Sequence, residues 1–416
     1  MMEESKLTYR PTLRTVRFLL SEAGSRWLEC AGCLPDTPAS HLANLSHLRR
    51  HLPADQAAAV LEQVRLRARA ASRFDRAARM LFTQTGLEQT THPSVAAHRA
   101  RRFQDHSLVT DLGCGLGSDT IALAQAADRV LAVDRDHTCL VFARHNVGAY
   151  DLQGRVTFVQ ADVLALPFDH KSAYFCDPGR RTVAGQRIFR PQDYEPPLPL
   201  LWERLAMASG LAIKVAPGIP YTRFPWVDEV EIVSLYGQVK EATLWCGDLA
   251  NPGVRRRATL LPSGVTLTDV HAAGGCPIRP VGRYLYEPDG AVIRAGLVQQ
   301  VGTTLGLWQL DGRIAYLSGD TLTISPFIQG FEVEEVLPFG LKPLRRRLRE
   351  LGVGVLEIKK RGVALDPDGF RRRLKLRGDE SKTLIVTRVG EKPIALLCQR
   401  KKDMGSHRDP TCLKIR

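Results

Sequence analysis

The chain of 416 residues has no apolar run approaching the roughly 20 residues that a membrane-spanning helix requires. Near its start, the apolar stretch Phe18-Leu19-Leu20 is short and Glu22 follows it, which argues against a secretory signal peptide. The nine cysteines are scattered and odd in number, so the sequence predicts no disulfide framework. We therefore expect no membrane segment and a protein of the reducing cytoplasm.

Acidic residues are scarce at both ends of the chain. Residues 342–416 carry 22 basic and 9 acidic side chains, and residues 1–100 carry 14 and 9. Residues 101–341 carry 22 basic and 26 acidic side chains, so the net charge of +14 comes from the two ends of the chain. Basic surfaces favour polyanion binding, and a solvated surface with a basic tail is the alternative. We expect nucleic-acid binding in the C-terminal part.

One spacing is typical of a metal site. Cys30 and Cys33 are followed after 13 residues by His47 and His51, which fits the window for a zinc site. The intervening segment contains prolines and no aromatic residue, and the leucines around the histidines fit helix packing. We therefore expect packing here and no metal.

Residues 1–95 are predicted to be helical. Residues 54–82 are rich in Ala, Leu and Arg, with apolar residues at helical spacing. The arginines of this stretch form either a solvated helix face or an RNA-contacting face, and the sequence leaves both open: Arg65, Arg67, Arg69, Arg73, Arg76 and Arg79.

The most specific signal is a glycine-rich turn. A short apolar run reaches Asp111, glycines follow at 113, 115 and 117, and an Ala/Leu-rich helical pattern then begins. Glycine lets the backbone approach a ligand closely, and a helix N-terminus offers free N–H groups. The dinucleotide pattern G-x-G-x-x-G would need glycine at position 118, where Ser118 stands. The pattern D-x-G-x-G-x-G instead resembles motif I of the class I S-adenosylmethionine (SAM) methyltransferases.

Carboxylates recur at the ends of the following predicted strands. Asp134 ends the strand 129–134, Asp162 follows 155–159, and Asp177 follows 172–176. Ligands of open α/β sheets bind beyond the carboxyl ends of the strands. We predict that Asp111 lies near the amino group of the methionine moiety of SAM, and that Gly113, Gly115 and Gly117 allow its close approach. Asp134 is predicted to accept from the ribose hydroxyls and Asp162 from the adenine amino group.

The methyl acceptor is predicted to lie at residues 177–181. Amino-group methyltransferases often carry Asp/Asn-Pro-Pro-aromatic here, with the acid and the proline carbonyl accepting the amine hydrogens. This chain keeps Asp177 and Pro178, which we predict to be catalytic, but Gly179 follows and the aromatic is missing. Arg180 and Arg181 are predicted to contact phosphate or base edges, or alternatively to pair with acids. Lys214, on the next strand, is predicted to orient the substrate.

Carbon methylation of a pyrimidine is disfavoured. Such enzymes use a cysteine nucleophile. Cys176 points away from the side that Asp177 uses, because side chains alternate along a strand. The strand containing Lys214 has no cysteine.

Several motifs occur in one order along the chain: Phe82-Thr83-x-x-Gly86-Leu87-Glu88-Gln89-Thr90, Asp177-Pro178-Gly179-Arg180-Arg181, Lys214-Val215-Ala216-Pro217-Gly218, Tyr284-Leu285-Tyr286-Glu287-Pro288-Asp289 and Ile358-Lys359-Lys360-Arg361-Gly362. Because it carries these motifs in this order, the chain resembles the bacterial SAM-dependent methyltransferases with a C-terminal THUMP-like domain. The resemblance implies an α/β fold with a Rossmann-like class I methyltransferase core. The predicted parts are a helical region 1–95, a methyltransferase domain 96–250, a THUMP-like α/β domain 255–403 and a disordered tail 404–416. THUMP domains are RNA-binding modules, so RNA is implied as a partner.

Together these observations predict a SAM-dependent methyltransferase that acts on a nucleobase nitrogen of structured RNA, either tRNA or rRNA. A methyltransferase for a protein or small molecule, and a non-catalytic RNA-binding protein that retains SAM, are the alternatives. The segment 82–90 either folds over the SAM pocket or is a plain linker.

Overall fold

The computed structural model describes residues 11–35, 37, 39–180, 188, 190–220, 224–270 and 274–400. The chain divides into two compact units. The first unit comprises Met1–Val215 and Trp245–Leu249, and the second comprises Ala216–Leu244 and Ala250–Arg416. The predicted tail 404–416 and Arg181 lie outside the described residues, and the predicted domain boundaries stay predictions. No helix within the described ranges has the length and apolarity needed to cross a membrane.

The first unit opens with helices, as predicted for residues 1–95. Thr12 and Ser21 begin the first two helices by accepting from the backbone N–H groups of Thr15 and Gly24, which would otherwise lack partners. The helices are α1 (Leu13–Leu20), α2 (Glu22–Gly32), α3 (His41–Leu48), α4 (Ala54–Ala70), α5 (Gln84–Gln89) and α6 (Pro93–Ala100).

The arginines on and after α4 mainly bind the protein itself. Arg67 Nε donates to the Met80 carbonyl at 2.8 Å, and burial lowers the pKa of this guanidinium to about 10. Arg73 donates to the Leu87 carbonyl at 3.0 Å, close to the end of α5. Neither a solvated face nor an RNA-contacting face describes these side chains. Both guanidinium groups instead donate to backbone carbonyls of the protein.

A parallel sheet follows in the first unit, in the order β3-β2-β1-β4-β5. All residues of β4 and β5 are buried, as expected for central strands of a parallel sheet that is covered on both faces. The strands are β1 (Leu108–Leu112), β2 (Arg129–Asp134), β3 (Val156–Gln160), β4 (Ala173–Cys176) and β5 (Gly210–Val215), and the helices between them are α7 (Ser118–Ala126), α8 (His137–Ala149) and α9 (Leu198–Leu205).

The second unit contains a group of strands that begins with β6 (Glu229–Leu235). β7 (Gln238–Gly247) follows in sequence, and Trp245, which is assigned to the first unit, packs on Phe103 of that unit. β6 pairs in parallel with β8 (Arg256–Leu261), and β8 pairs antiparallel with β9 (Val265–Thr268).

A seven-stranded sheet forms the rest of the second unit, in the order β11-β12-β10-β13-β16-β15-β14. It is antiparallel except for β14 and β15. The elements are β10 (Tyr284–Pro288), α10 (Gly290–Arg294), α11 (Val298–Leu305), β11 (Trp308–Asp311), β12 (Ile314–Gly319), β13 (Ile328–Pro338), α12 (Leu341–Glu350), β14 (Val353–Lys360), α13 (Pro367–Leu374), β15 (Glu380–Val389) and β16 (Lys392–Arg400). Helices α12 and α13 bury Leu344, Leu348 and Phe370 against this sheet.

The sequence pattern of residues 341–400 predicts a helix (341–351), a strand (354–359), a helix (366–374) and two strands (382–389 and 393–400), and the structure confirms this order. The sequence also predicts one helix over residues 291–302. This prediction is wrong, because the chain turns at Gly296, with φ of +68°, and forms α10 and α11 instead. The long strand β13 was not predicted; its second half alternates between half-buried and exposed residues, and glutamates interrupt its apolar side chains.

Gln63 of α4 gives a test of how the N-terminal helices join the rest of the first unit. Its buried amide donates to the Phe82 carbonyl at 2.6 Å and accepts from the Phe82 N–H at 2.9 Å. Gln63→Ala leaves two buried backbone groups unpaired, so we expect a loss of about 2 kcal/mol or more in the free energy of unfolding. Urea denaturation measures this, with the exposed Gln153→Ala as the control; equal stability of the two variants would contradict the assignment.

Candidate active site

The carboxyl ends of four strands lie side by side in the first unit. Leu112 of β1 is in register with Val133 of β2 and Cys176 of β4, and Cys176 is in register with Ile213 of β5. The next residues along these strands therefore form one row at the edge of the sheet: Asp134, Gly113, Asp177 and Lys214. This is the position at which parallel α/β sheets bind their ligands.

The three glycines after β1 do not have the same role. All have positive φ, of +84°, +53° and +82° for Gly113, Gly115 and Gly117. A Cβ at Gly113 or Gly115 would meet no atom within 4 Å, whereas one at Gly117 would lie 3.1 Å from Ala143 Cα of α8. The first two glycines thus leave open space beside the turn, and the third allows α7 and α8 to pack. The open space beside the turn and the helix N-terminus that follows it fit the close approach of SAM.

Buried hydrogen bonds fix the outer side of this glycine turn. Asn146 of α8 donates to the carbonyls of Leu116 and Leu81, each at 3.0 Å, and accepts from the Leu81 N–H at 2.7 Å. A Cβ at Gly86 of α5 would lie 2.3 Å from Leu116 Cδ1, so the segment 82–90 lies directly against the turn. This segment is therefore part of the site and not a plain linker.

Asp134 connects the turn with the end of β2. Its Oδ2 accepts from the Gly115 N–H at 2.9 Å, and its Oδ1 accepts from the Asp136 N–H at 2.9 Å. A carboxylate has further acceptor sites, so it can still bind hydroxyl groups. Asp162 is exposed two residues beyond β3, and its Oδ1 accepts from the Leu164 N–H at 2.9 Å. The structure thus places Asp134 at the turn and Asp162 just beyond the neighbouring strand, and their roles toward SAM stay predictions.

Asp111 lies beneath the turn and is only 1% exposed. Its Oδ2 accepts from Thr120 Oγ1 at 2.5 Å. Burial, together with the nearby Asp119 carboxylate, raises the pKa of Asp111 to about 8. This carboxyl therefore connects the end of β1 to the first turn of α7, and its place near the methionine amino group of SAM stays a prediction.

Asp177 and Lys214 form an ion pair at the edge of the sheet. Lys214 Nζ donates to Asp177 Oδ2 at 2.6 Å and to Thr91 Oγ1 at 2.8 Å. Lys214 is 5% exposed, so its charge needs this compensation. Within the described ranges, no donor contacts Asp177 Oδ1. Lys214 thereby orients Asp177, and its predicted role in orienting the substrate stays a prediction.

The ion pair belongs to a longer buried network. Thr91 Oγ1 donates to Asp119 Oδ2 at 3.0 Å, and Arg99 pairs with Asp119 Oδ1. The Arg99 guanidinium also lies 4.3 Å from the ring centroid of Phe175 on β4. The network joins the acceptor side of the site to the first turn of α7, where the cofactor is expected. Sequence reasoning missed Thr91, Asp119 and Arg99, since only the tertiary fold brings α6 beside β4 and β5.

The chain after Asp177 is fixed by backbone pairing. Pro178 is buried, and Gly179 exchanges two hydrogen bonds with Glu195, at 2.7 and 3.0 Å. No carboxylate pairs with Arg180 among the described residues, so the alternative of an ion pair does not apply to it there. Tyr194 follows in the same loop and is the candidate to replace the missing aromatic, but it is only 2% exposed, so its ring cannot stack on an acceptor base in this conformation. Arg181 lies outside the described residues.

Two other sequence features have structural explanations. Cys176 is fully buried, and burial raises the pKa of its thiol, which suits packing and not nucleophilic attack.

The residues with the spacing of a zinc site make other contacts. Cys30 and Cys33 are exposed, while the His51 ring stacks on Trp27 with centroids 5.6 Å apart. Among the residues that the structure describes, no group of three or more His, Cys, Asp or Glu side chains is arranged to hold a metal ion.

Comparison with known families gives a match to a segment of each unit. Residues 109–176 match the family described as "Methyltransferase domain", and residues 328–400 match the family described as "THUMP domain-like". Residues 12–70 match a domain of unknown function. The THUMP-like match covers β13 to β16 and begins well after residue 255, where the predicted domain starts.

Two relatives that match nearly the whole chain are also methyltransferases by name. An uncharacterised SAM-dependent methyltransferase of Mycobacterium tuberculosis is 41% identical over 345 residues, covering 81% of this chain and 94% of the relative. A solved structure from Porphyromonas gingivalis, designated a methyltransferase, matches with a TM-score of 0.76 at 25% identity and covers 94% of this chain and 98% of that one. These relatives, together with the glycine turn, establish SAM as the cofactor.

The different surroundings of the glycines give a paired test. Alanine in a left-handed conformation costs roughly 1–2 kcal/mol at either Gly113 or Gly117. Only Gly117→Ala also meets the α8 backbone, so we expect it to lower the thermal midpoint more. Gly113→Ala instead places a methyl group in the open space, and we expect SAM affinity to fall at least about tenfold. Calorimetry and thermal unfolding measure both, with Gly253→Ala, at φ +78° in open space, as the control. The reverse ranking of the two variants would contradict these roles.

The raised pKa of Asp111 predicts a pH dependence of stability. The folded state binds this proton up to about pH 8, whereas the unfolded state releases it near pH 3.8. Stability from this group is therefore complete at low pH and is lost as pH rises through 8. Asp111→Asn cannot ionise, so its stability relative to the wild type should increase by more than about 1.4 kcal/mol between pH 5 and pH 8. Urea denaturation at the two pH values measures this, with the exposed Asp105→Asn as a control for the loss of one charge. A difference that does not change with pH would contradict the prediction.

Proposed function

The chain belongs to the SAM-dependent methyltransferases, and from this membership we propose that it methylates a nucleobase nitrogen of structured RNA, either tRNA or rRNA. We also propose a cytoplasmic location. The observation that carries the choice of a nitrogen acceptor is the Asp177–Lys214 ion pair, which holds a carboxylate at the edge of the sheet beside the glycine turn.

The ion pair suits Asp177 to the orientation of an amine. Lys214 and Thr91 fix the carboxylate through Oδ2, which leaves Oδ1 as the acceptor for an amine hydrogen. Asp177 and the carbonyl of Pro178 would hold the nitrogen so that its lone pair faces the methyl group, and Asp177 would take up the proton that is released. Bound SAM supplies the activated methyl group. The buried thiol of Cys176 supports transfer to nitrogen, because it disfavours a covalent route to carbon.

Two features support RNA as the acceptor. The THUMP domain-like match covers residues 328–400, and THUMP domains are RNA-binding modules. Residues 342–416 carry 22 basic and 9 acidic side chains, which suits contact with phosphates and predicts salt-dependent binding.

Arg180 and Arg181 follow the proposed catalytic pair, and Arg180 has no carboxylate partner in the described part of the chain. We propose that these arginines contact phosphate or base edges.

The role of Asp177 is tested by Asp177→Asn. Asparagine keeps an oxygen for Lys214 but cannot take up a proton, so we expect methyl transfer to fall at least about 100-fold. SAM affinity should stay within about twofold, because Asp134 and the glycine turn are unchanged. Transfer of labelled methyl from SAM and calorimetry measure the two properties, with Asp193→Asn, an exposed acid nearby in sequence, as the control. Full transfer by Asp177→Asn would remove Asp177 from the mechanism.

The class of acceptor is tested with extracts of a strain that lacks this gene. Purified protein and labelled SAM are added, and RNA and protein fractions are separated. We expect label in tRNA or rRNA, and less of it at high salt, because phosphate contacts weaken as salt rises. Label confined to protein would contradict RNA as the acceptor.

A further inference from the structure

Two of the sequence motifs that the active site leaves unexplained meet in the second unit. Glu287, from the 284–289 motif, lies on β10, and Lys359 and Arg361, from the 358–362 motif, lie at the end of β14. Lys359 Nζ is 2.6 Å from Glu287 Oε2, and an Arg361 terminal nitrogen is 3.2 Å from Glu287 Oε1. The motifs are about 70 residues apart in sequence, and together they line a cavity of about 410 Å³. This volume lies within the roughly 300–1,000 Å³ range of small-molecule and cofactor sites.

Three cationic side chains line the cavity, Lys359, Arg361 and Arg400, together with three carboxylates, Glu287, Asp289 and Glu357. Glu287 accepts from Lys359 and Arg361 and so holds them in place, while one carboxylate neutralises only one of the two charges. Arg400 also lines the cavity, and no carboxylate among the described residues pairs with it. With the amide of Gln329 oriented toward it, Arg400 Nε donates to the amide oxygen at 3.2 Å. An anion with several oxygens, such as phosphate, matches converging guanidinium and ammonium groups.

The cavity also contains hydrogen-bond acceptors, which a simple anion such as phosphate would not use. Asp289 and Glu357 lie on its lining, where they can accept from donors of a ligand. Asp289 already accepts from the Ala291 N–H at 2.7 Å, and Glu357 is exposed. A ligand with both an anionic end and hydrogen-bond donors therefore fits this lining better than inorganic phosphate alone.

Tyr236 is the aromatic residue of the lining, and its backbone is strained. It connects β6 to β7 together with Gly237, and the two residues have φ of +51° and +75°. A two-residue connection of this type strongly prefers Asn-Gly, since the left-handed region disfavours a bulky side chain. Strain of this kind is commonly retained at functional sites, and an aromatic ring is the usual partner for stacking a base.

We propose that this cavity binds a phosphate-bearing ligand of the size of one nucleotide. Its phosphate lies at Lys359, Arg361 and Arg400, and its base lies against Tyr236. The ligand is either a free nucleotide or one nucleotide of an RNA strand. The site is separate from methyl transfer, and the inference does not depend on the proposed acceptor.

The test uses calorimetry on the full chain with S-adenosylhomocysteine present at saturation, so that nucleotides cannot bind the cofactor site. The probes are AMP, GMP, CMP and UMP, the four nucleosides, inorganic phosphate, and 5′-phosphorylated single-stranded RNA hexamers. We expect at least one mononucleotide or hexamer to bind at least tenfold more tightly than inorganic phosphate and the corresponding nucleoside.

Three variants locate the binding. Arg400→Gln should weaken it at least tenfold. Tyr236→Asn should weaken it at least fivefold while leaving the thermal midpoint unchanged or raised, because asparagine tolerates the left-handed conformation. Arg349→Gln removes an exposed charge from α12 and should change affinity less than twofold. Mononucleotide binding that follows this pattern identifies a free nucleotide, and hexamer binding alone identifies an RNA strand. Absence of binding, or equal effects of Arg400→Gln and Arg349→Gln, would overturn the proposal.

Discussion

A buried lysine at the edge of the sheet is the constraint on which the candidate active site depends. Lys214 is almost fully enclosed, and an enclosed ammonium needs a carboxylate and further acceptors. Asp177 and Thr91 meet this need, and Thr91 in turn binds Asp119 at the start of α7. The same charge compensation therefore orients the proposed catalytic carboxylate and connects it to the helix that borders the glycine turn.

The N-terminal region is part of this arrangement. Asn146 binds both the glycine turn and Leu81, and α5 packs its Gly86 on Leu116 of the turn. Arg73 in turn satisfies the carbonyl of Leu87 in α5. The segment after α4 thus forms a wall of the site, and its arginines act as structural donors. Positive charge in a sequence is therefore a weak indicator of RNA contact until the partners of each guanidinium are known.

Sequence reasoning predicted the α/β class and the methyltransferase core from local patterns, and it predicted the THUMP-like domain from the family resemblance of motifs such as Ile358-Lys359-Lys360-Arg361-Gly362. The glycines and the acids at strand ends have fixed spacing, and the C-terminal helices and strands have clear periodicity. The role of Lys214 could not be predicted, because a lysine on a strand looks the same whether it faces solvent or a carboxylate. Thr91, Asn146 and the meeting of Glu287 with Lys359 depend on contacts between distant segments, which leave no pattern in a single sequence.

We propose that the site formed by Gly113, Asp134, Asp177 and Lys214 transfers the methyl group of SAM to a nitrogen of an RNA base. The most direct measurement is nucleoside mass spectrometry of tRNA and rRNA from a strain that lacks the gene, complemented with either the wild type or Asp177→Asn. The account predicts that one N-methylated nucleoside disappears in the deletion strain, returns with the wild type and stays absent with the variant. An unchanged set of methylated nucleosides in the deletion strain would contradict it.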